Sequence, residues 1–99
     1  MSFELRYSPA ARLDIRRLYR FLLDRDPVVA EKAINVIEKA IGNLADFPFS
    51  SRKARGNLPR IRELVIPFSN SGYVALYEIE DSTTVTILAV RHQREDDYH

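Results

Sequence analysis

Cysteine is missing from all 99 residues, which excludes a disulfide scaffold, a cysteine nucleophile and a thiolate zinc site. Glycine is scarce, at three residues, and none of them builds a phosphate-cradling loop or a Gly-x-Ser-x-Gly elbow. Apolar runs extend over only a few residues, too short for a bilayer span. The N-terminal Met-Ser-Phe-Glu-Leu-Arg lacks the apolar core of a secretion signal. Neither charge sign dominates: 15 Lys and Arg stand against 14 Asp and Glu, so net charge alone points to no polyanionic partner. What is present, 45% hydrophobic and 29% charged residues, is the balance of a soluble globular chain. The expectation is one cytoplasmic domain spanning residues 1–99.

Residues 3–7 alternate apolar Phe3, Leu5 and Tyr7 with Glu4 and Arg6, the period of a strand with one buried face. Ser8-Pro9 then opens a helix, with serine as the capping acceptor and proline where no amide is needed. Ala11, Ile15, Leu18 and Leu22 share one face of that helix, which is expected to end near Asp24. Asp26-Pro27 repeats the signal for a second helix over residues 28–46, striped by Ala30, Ile34, Ile37, Ile41 and Leu44. A link of about three residues makes the two helices antiparallel neighbours. Beyond Pro48, strands are expected over residues 60–67, 73–80 and 83–91, with turns at Ser69-Asn70-Ser71-Gly72 and Asp81-Ser82. The order β-α-α-β-β-β predicts an α+β fold in two layers, an antiparallel helical hairpin packed on a small antiparallel sheet.

Charge is unevenly placed. Residues 52–62 hold five cations and no anion, and Gly56-Asn57 and Pro59 make most of this stretch a loop. Clustered guanidinium groups suit phosphate oxygens; the same cluster suits an acidic protein surface, or merely keeps a sheet edge soluble. Arg12, Arg16 and Arg20 form a stripe on the first helix that reads as a solvated face. The C-terminal Arg91-His92-Gln93-Arg94-Glu95-Asp96-Asp97-Tyr98-His99 combines arginines with groups able to exchange protons, the ingredients of RNA cleavage by its own 2′-OH. Against that, a terminal tail is ordinarily solvated. His92, Asp96, Asp97 and His99 match no metal-ligand spacing, and no cofactor is indicated. Tyr73 and Tyr77 share a strand face and are expected in packing rather than base stacking.

Several segments resemble the RelE/ParE toxins of bacterial type II toxin–antitoxin systems, and their ParE branch most of all. They are Ser8-Pro9-Ala10-Ala11, Asp14-Ile15, Asp26-Pro27, Phe47-Pro48, Arg62-Glu63-Leu64-Val65-Ile66-Pro67, Gly72-Tyr73-Val74-Ala75-Leu76-Tyr77 and Ile87-Leu88-Ala89-Val90-Arg91-His92-Gln93-Arg94. The resemblance implies the hairpin-on-sheet fold derived above, and a toxin held inactive by a cognate ParD-like antitoxin in a hetero-oligomer. Its ParE branch implies poisoning of DNA gyrase, a block to replication and plasmid stabilisation, without an enzymatic step. Its RelE branch implies ribosome-dependent cleavage of mRNA, with Arg62, Arg91 and Tyr98 as the matching catalytic positions. On either branch the expected target-facing residues are Arg52, Lys53, Arg55, Arg62, Arg91, His92, Arg94 and Tyr98. Leu13, Tyr19 and Phe21, off the main stripe of the first helix, are the expected antitoxin-binding residues, or else they complete the core.

Overall fold

The computed structural model describes residues 2–54 and 60–95. Arg55 and Tyr98, both expected at the target-facing surface, lie outside the described residues. The elements run β1 (Glu4–Tyr7), α1 (Pro9–Leu23), α2 (Pro27–Gly42), a 3-10 turn (Asn43–Ala45), β2 (Arg52–Lys53), β3 (Ile61–Phe68), β4 (Ser71–Ile79), β5 (Thr84–His92) and a second 3-10 turn (Gln93–Glu95).

Both helices begin as their sequences dictate. Ser8 caps α1 by accepting the Ala11 amide on its Oγ at 3.0 Å, and Asp26 caps α2 by accepting the Val28 and Val29 amides at 3.0 and 3.3 Å. Helix α2 closes earlier than its stripe suggests, at Gly42, and the chain tightens into the 3-10 turn. That turn still points Leu44 into the core at 1% exposure, which is why the apolar period outruns the α-helix. Ala11, Ala30 and Ala33 are fully buried, and α1 packs along α2.

Five strands form one sheet in the order β1-β5-β4-β3-β2. Neighbours pair antiparallel except β1 and β5, which are parallel with Leu5 opposite Val85 and Tyr7 opposite Ile87. The expected all-antiparallel sheet therefore carries one parallel edge, because the helical hairpin returns the chain to the far side of the sheet before β3 begins. Arg52-Lys53, expected in a loop, instead pairs with Glu63 and Arg62 as strand β2. An Arg52 Nε–Glu63 Oε1 contact of 3.1 Å supports that pairing.

Ile37, Ile41 and Leu18 from the helices meet Ile66, Tyr73, Ala75, Tyr77, Val85, Ile87 and Val90 from one face of the sheet. Tyr77 is wholly buried and its hydroxyl donates to the Pro48 carbonyl at 2.7 Å, so both tyrosines on this face are core residues. Strand alternation sends Glu63, Val65, Val74, Leu76, Glu78, Thr86 and Arg91 to the opposite face. Between β4 and β5 the register jumps from Leu76–Ala89 to Tyr77–Ile87, making Leu88 an extra residue, a β-bulge.

The β3–β4 hairpin is tighter than the Ser69-Asn70-Ser71-Gly72 cluster suggested: Phe68 pairs with Ser71, leaving Ser69-Asn70 as the two-residue turn. Ser69 takes φ of 55°, a position that favours glycine in hairpins of the II′ type. Relieving that left-handed conformation outweighs the extra freedom of an unfolded glycine, so Ser69→Gly is expected to stabilise the fold by about 0.5 kcal/mol. Thermal unfolding should show this as a rise of roughly 2–4 °C; a fall would refute the assignment of strain to Ser69.

Candidate target-facing site at the end of β5

Past the bulge, β5 projects its side chains to the two faces of the sheet in turn. Arg91 lies opposite Val74 on the face without helices, and His92 lies opposite Tyr73 on the helix side. The His92 ring stands edge-on to Tyr73, with centroids 5.4 Å apart and an interplanar angle of 86°. Its Nδ1 accepts the Arg94 amide at 3.1 Å, so in the neutral ring Nε2 bears the proton and donates to Ser71 Oγ at 3.0 Å. His92 thereby fastens the final 3-10 turn to the hairpin tip. Burial pushes the Tyr73 phenol above its ordinary pKa, keeping it neutral.

Next to this strand end lies a cleft of about 670 Å³. Leu18, Phe21, Leu22 and Tyr73 provide apolar walls, and Arg17, Arg25, His92 and Arg94 contribute cationic or polar groups. The Arg25 guanidinium sits 4.4 Å from the centroid of Phe21. On the outer side of α1, Leu13 and Phe21 are 63% and 55% exposed and share a shallow hollow with Arg16, Arg17 and Arg20. Tyr19 is half-buried on another flank of the helix and does not line that hollow.

The basic stretch around β2 and β3 is organised differently from an open cationic loop. Arg52 contacts Glu63, and Arg60 donates to the Glu80 carbonyl at 2.9 Å with Glu78 Oε2 at 3.8 Å. Arg62 donates to the carbonyls of Ser51 at 2.5 Å and Phe49 at 3.4 Å, with its guanidinium 5.3 Å from the Phe49 ring centroid. It pairs with Tyr77 and Lys53 and belongs to the helix-side face. Arg62 and Arg91 are therefore on opposite faces of the sheet, three positions apart along β4. His92 and Arg94 are brought together at one cleft; Arg91, on the other face of the same strand end, and Arg62 are not part of it.

Three contributors to this region escaped the sequence reading. Arg17 and Arg25 join Arg94 only because the end of α1 packs beside the end of β5. Asp14 accepts the Val90 amide at 2.9 Å. Its signal was available: an acid three residues after Ala11 and four before Leu18 falls on the buried stripe, where a carboxylate needs a partner. Among the described residues no group of three or more histidines, aspartates or glutamates is placed to hold a metal ion, and no helix is long and apolar enough to cross a membrane.

A helical hairpin on a five-stranded, mostly antiparallel sheet is the fold of toxins from type II toxin–antitoxin systems, and comparison with known proteins agrees. The ParE toxin of the type II parDE system describes a family that matches residues 5–97, and the chain belongs to that family. It is similar to toxin RelE3 of Caulobacter vibrioides, 36% identical over 87 residues that cover 88% of this chain and 90% of that protein. It is also similar to toxin RelE1 of the same organism, 34% identical over 83 residues covering 84% and 86%. The chromosomal ParDE system of P. aeruginosa contains a chain of the same fold, with a TM-score of 0.75 at 17% identity, covering 92% of this chain and 96% of that one. The toxin–antitoxin complex RelBE2 of Mycobacterium tuberculosis contains another, with a TM-score of 0.62 at 27% identity, covering 94% and 100%.

Proposed function

We propose that this toxin is a binding poison of DNA gyrase that blocks replication, stabilises the plasmid or locus encoding it, and is neutralised by a cognate ParD-like antitoxin. The observation that carries the choice is the separation of Arg62 from Arg91. Stabilising a cleaving phosphate needs cationic donors that converge on the same oxygens at about 2.7–3.1 Å. Three strand positions span about 10 Å, and the two guanidinium stems leave opposite faces of the sheet. Arg62 is moreover occupied by two backbone carbonyls. Membership of the ParE family supports the same reading.

In this reading the target meets the β5 end, with Arg91, His92 and Arg94, and separately the basic segment that holds Arg52 and Lys53 at the far edge of the sheet and continues in sequence to Arg55. Exposed Leu13 and Phe21, set among three arginines and Asp24, suit an antitoxin segment that is both apolar and acidic; Tyr19 does not line this hollow. The solved toxin–antitoxin complex RelBE2 of M. tuberculosis supports an antitoxin as partner. The second reading, ribosome-dependent mRNA cleavage through Arg62, Arg91 and Tyr98, is favoured by the RelE names of the Caulobacter relatives.

Induction of the chain alone in a bacterial host, with pulse labelling of DNA and protein synthesis, separates the two. DNA synthesis is expected to stop first, with filamentous cells. Earlier arrest of protein synthesis, accompanied by truncated transcripts, would reverse the choice.

A further inference from the structure

Strand β5 outlives its neighbour. Strand β1 ends at Tyr7 opposite Ile87, while β5 continues to His92. Residues around the start of α1 take over where β1 stops. The Ser8 amide donates to the Ile87 carbonyl at 2.9 Å, Ser8 Oγ donates to the Leu88 carbonyl at 3.1 Å, and the Asp14 carboxylate accepts the Val90 amide at 2.9 Å. Val90 is wholly buried, so its amide has no water to turn to, and an unmet buried N–H is costly. A carboxylate acceptor makes this the strongest of the three ties. The tie falls on the residue immediately before Arg91 and His92.

We infer that Asp14 is a positioning residue for toxicity: through the Val90 amide it holds the β5 end in the orientation that presents Arg91, His92 and Arg94. The inference rests on the reading that this strand end faces the target. Ser8 secures the bulge, whereas Asp14 secures what lies beyond it. Removing the Asp14 acceptor leaves the first half of β5 flanked by β1 and β4 as before, and loosens only the half that carries the cations.

The test uses the full chain in three variants, Asp14→Ala, Asp14→Asn and Arg91→Ala. Each is assayed for growth inhibition on titrated induction and, as purified protein, for amide hydrogen exchange at Val90 and Val85. In Asp14→Ala, exchange at Val90 relative to Val85 is expected to rise about tenfold or more, and growth inhibition to fall by a similar factor. Asp14→Asn keeps an acceptor oxygen and is expected to restore both to within roughly threefold of the parent. Full growth inhibition by Asp14→Ala with an exposed Val90 amide overturns the inference, as does loss of inhibition with Val90 protection unchanged. Arg91→Ala should lose inhibition while keeping Val90 protected. If it stays fully toxic, the target-face reading fails and takes this role of Asp14 with it; if only Asp14→Ala stays toxic, the positioning role alone fails. Should Asp14→Ala not fold, Asp14→Asn carries the test: its Val90 amide proton should move upfield against the weaker carboxamide acceptor, and an unmoved resonance overturns the assignment.

Discussion

Alanine at position 72 is expected to destabilise the protein by about 3 kcal/mol, at the upper end of the usual cost of forcing atoms into filled space. In a domain of this size that corresponds to a fall in melting temperature of roughly 12–24 °C. A Cβ on Gly72 would lie 2.2 Å from the Ile66 carbonyl oxygen, with the Ile66 carbonyl carbon and the Phe68 nitrogen each at 3.1 Å. All three are backbone atoms, so no rotamer change can make room, and β3 must part from β4 near the hairpin tip. The damage reaches the candidate site. Ser71, next in sequence, holds the His92 ring, and Tyr73, next on the other side, packs its edge against it. Gly72→Ala should therefore also loosen the final 3-10 turn. Differential scanning calorimetry decides the first point; a variant melting within about 3 °C of the parent would show that the hairpin tip is more yielding than the structure implies.

Gly72 also shows where pattern reading stops. In sequence it completes a cluster of turn residues, and turn residues signal conformational freedom. In the structure the turn is Ser69-Asn70, and Gly72 is a strand residue chosen for close approach of two backbones. The two roles use the same residue and differ only in what stands across the sheet. The helices, by contrast, were legible because their signals are local: a cap, a proline and a stripe occur within one stretch of chain, and Ser8 and Asp26 cap as their positions suggest. Strands β4 and β5 were legible for the same reason. Strand β2 was not, since Arg52-Lys53 has no apolar period and exists only through Glu63 and Arg62 on the neighbouring strand. Nor was the bulge, hidden within the apolar run from Ile87 to Val90. The parallel β1–β5 edge joins segments about eighty residues apart, and nothing local to either announces its direction.

The candidate site divides along the same line. Arg91, His92 and Arg94 stood out in the sequence because they follow a strong strand directly. The cleft beside them did not, because Leu18 and Phe21 come from α1, Arg25 from the link that follows it and Tyr73 from β4. Arg62 was conspicuous as one of five cations in a run, yet a run along the chain says little about where each guanidinium ends. Three of those cations bind Glu63, the Glu80 carbonyl or the carbonyls of Ser51 and Phe49, so charge that looked available in sequence helps to close a sheet edge.

The second large effect falls on the β5 end. Replacing Arg91 and Arg94 together by alanine is expected to cut growth inhibition, per folded molecule, at least tenfold. Two lost contacts of charged groups with a partner, at about 1.5 kcal/mol each, correspond to roughly a hundredfold in affinity, so tenfold is a conservative floor. Arg62→Ala should behave in the opposite way. It withdraws two charge-assisted hydrogen bonds and a ring contact that pin the segment before β2, partly exposed to solvent, at a cost of about 1–2 kcal/mol. Its melting temperature is expected to fall by roughly 4–16 °C, and its growth inhibition to follow the amount of folded protein. On the nuclease reading both variants lose activity, because Arg62 as well as Arg91 would touch the scissile phosphate, so Arg62→Ala would be inactive per folded molecule whatever its stability. Measuring inhibition per folded molecule for both variants thus tests the mechanism as well as the surface. A stable but inactive Arg62→Ala would return that guanidinium to the site and favour cleavage over binding. An unstable but active one would leave the β5 end as the face that meets the target.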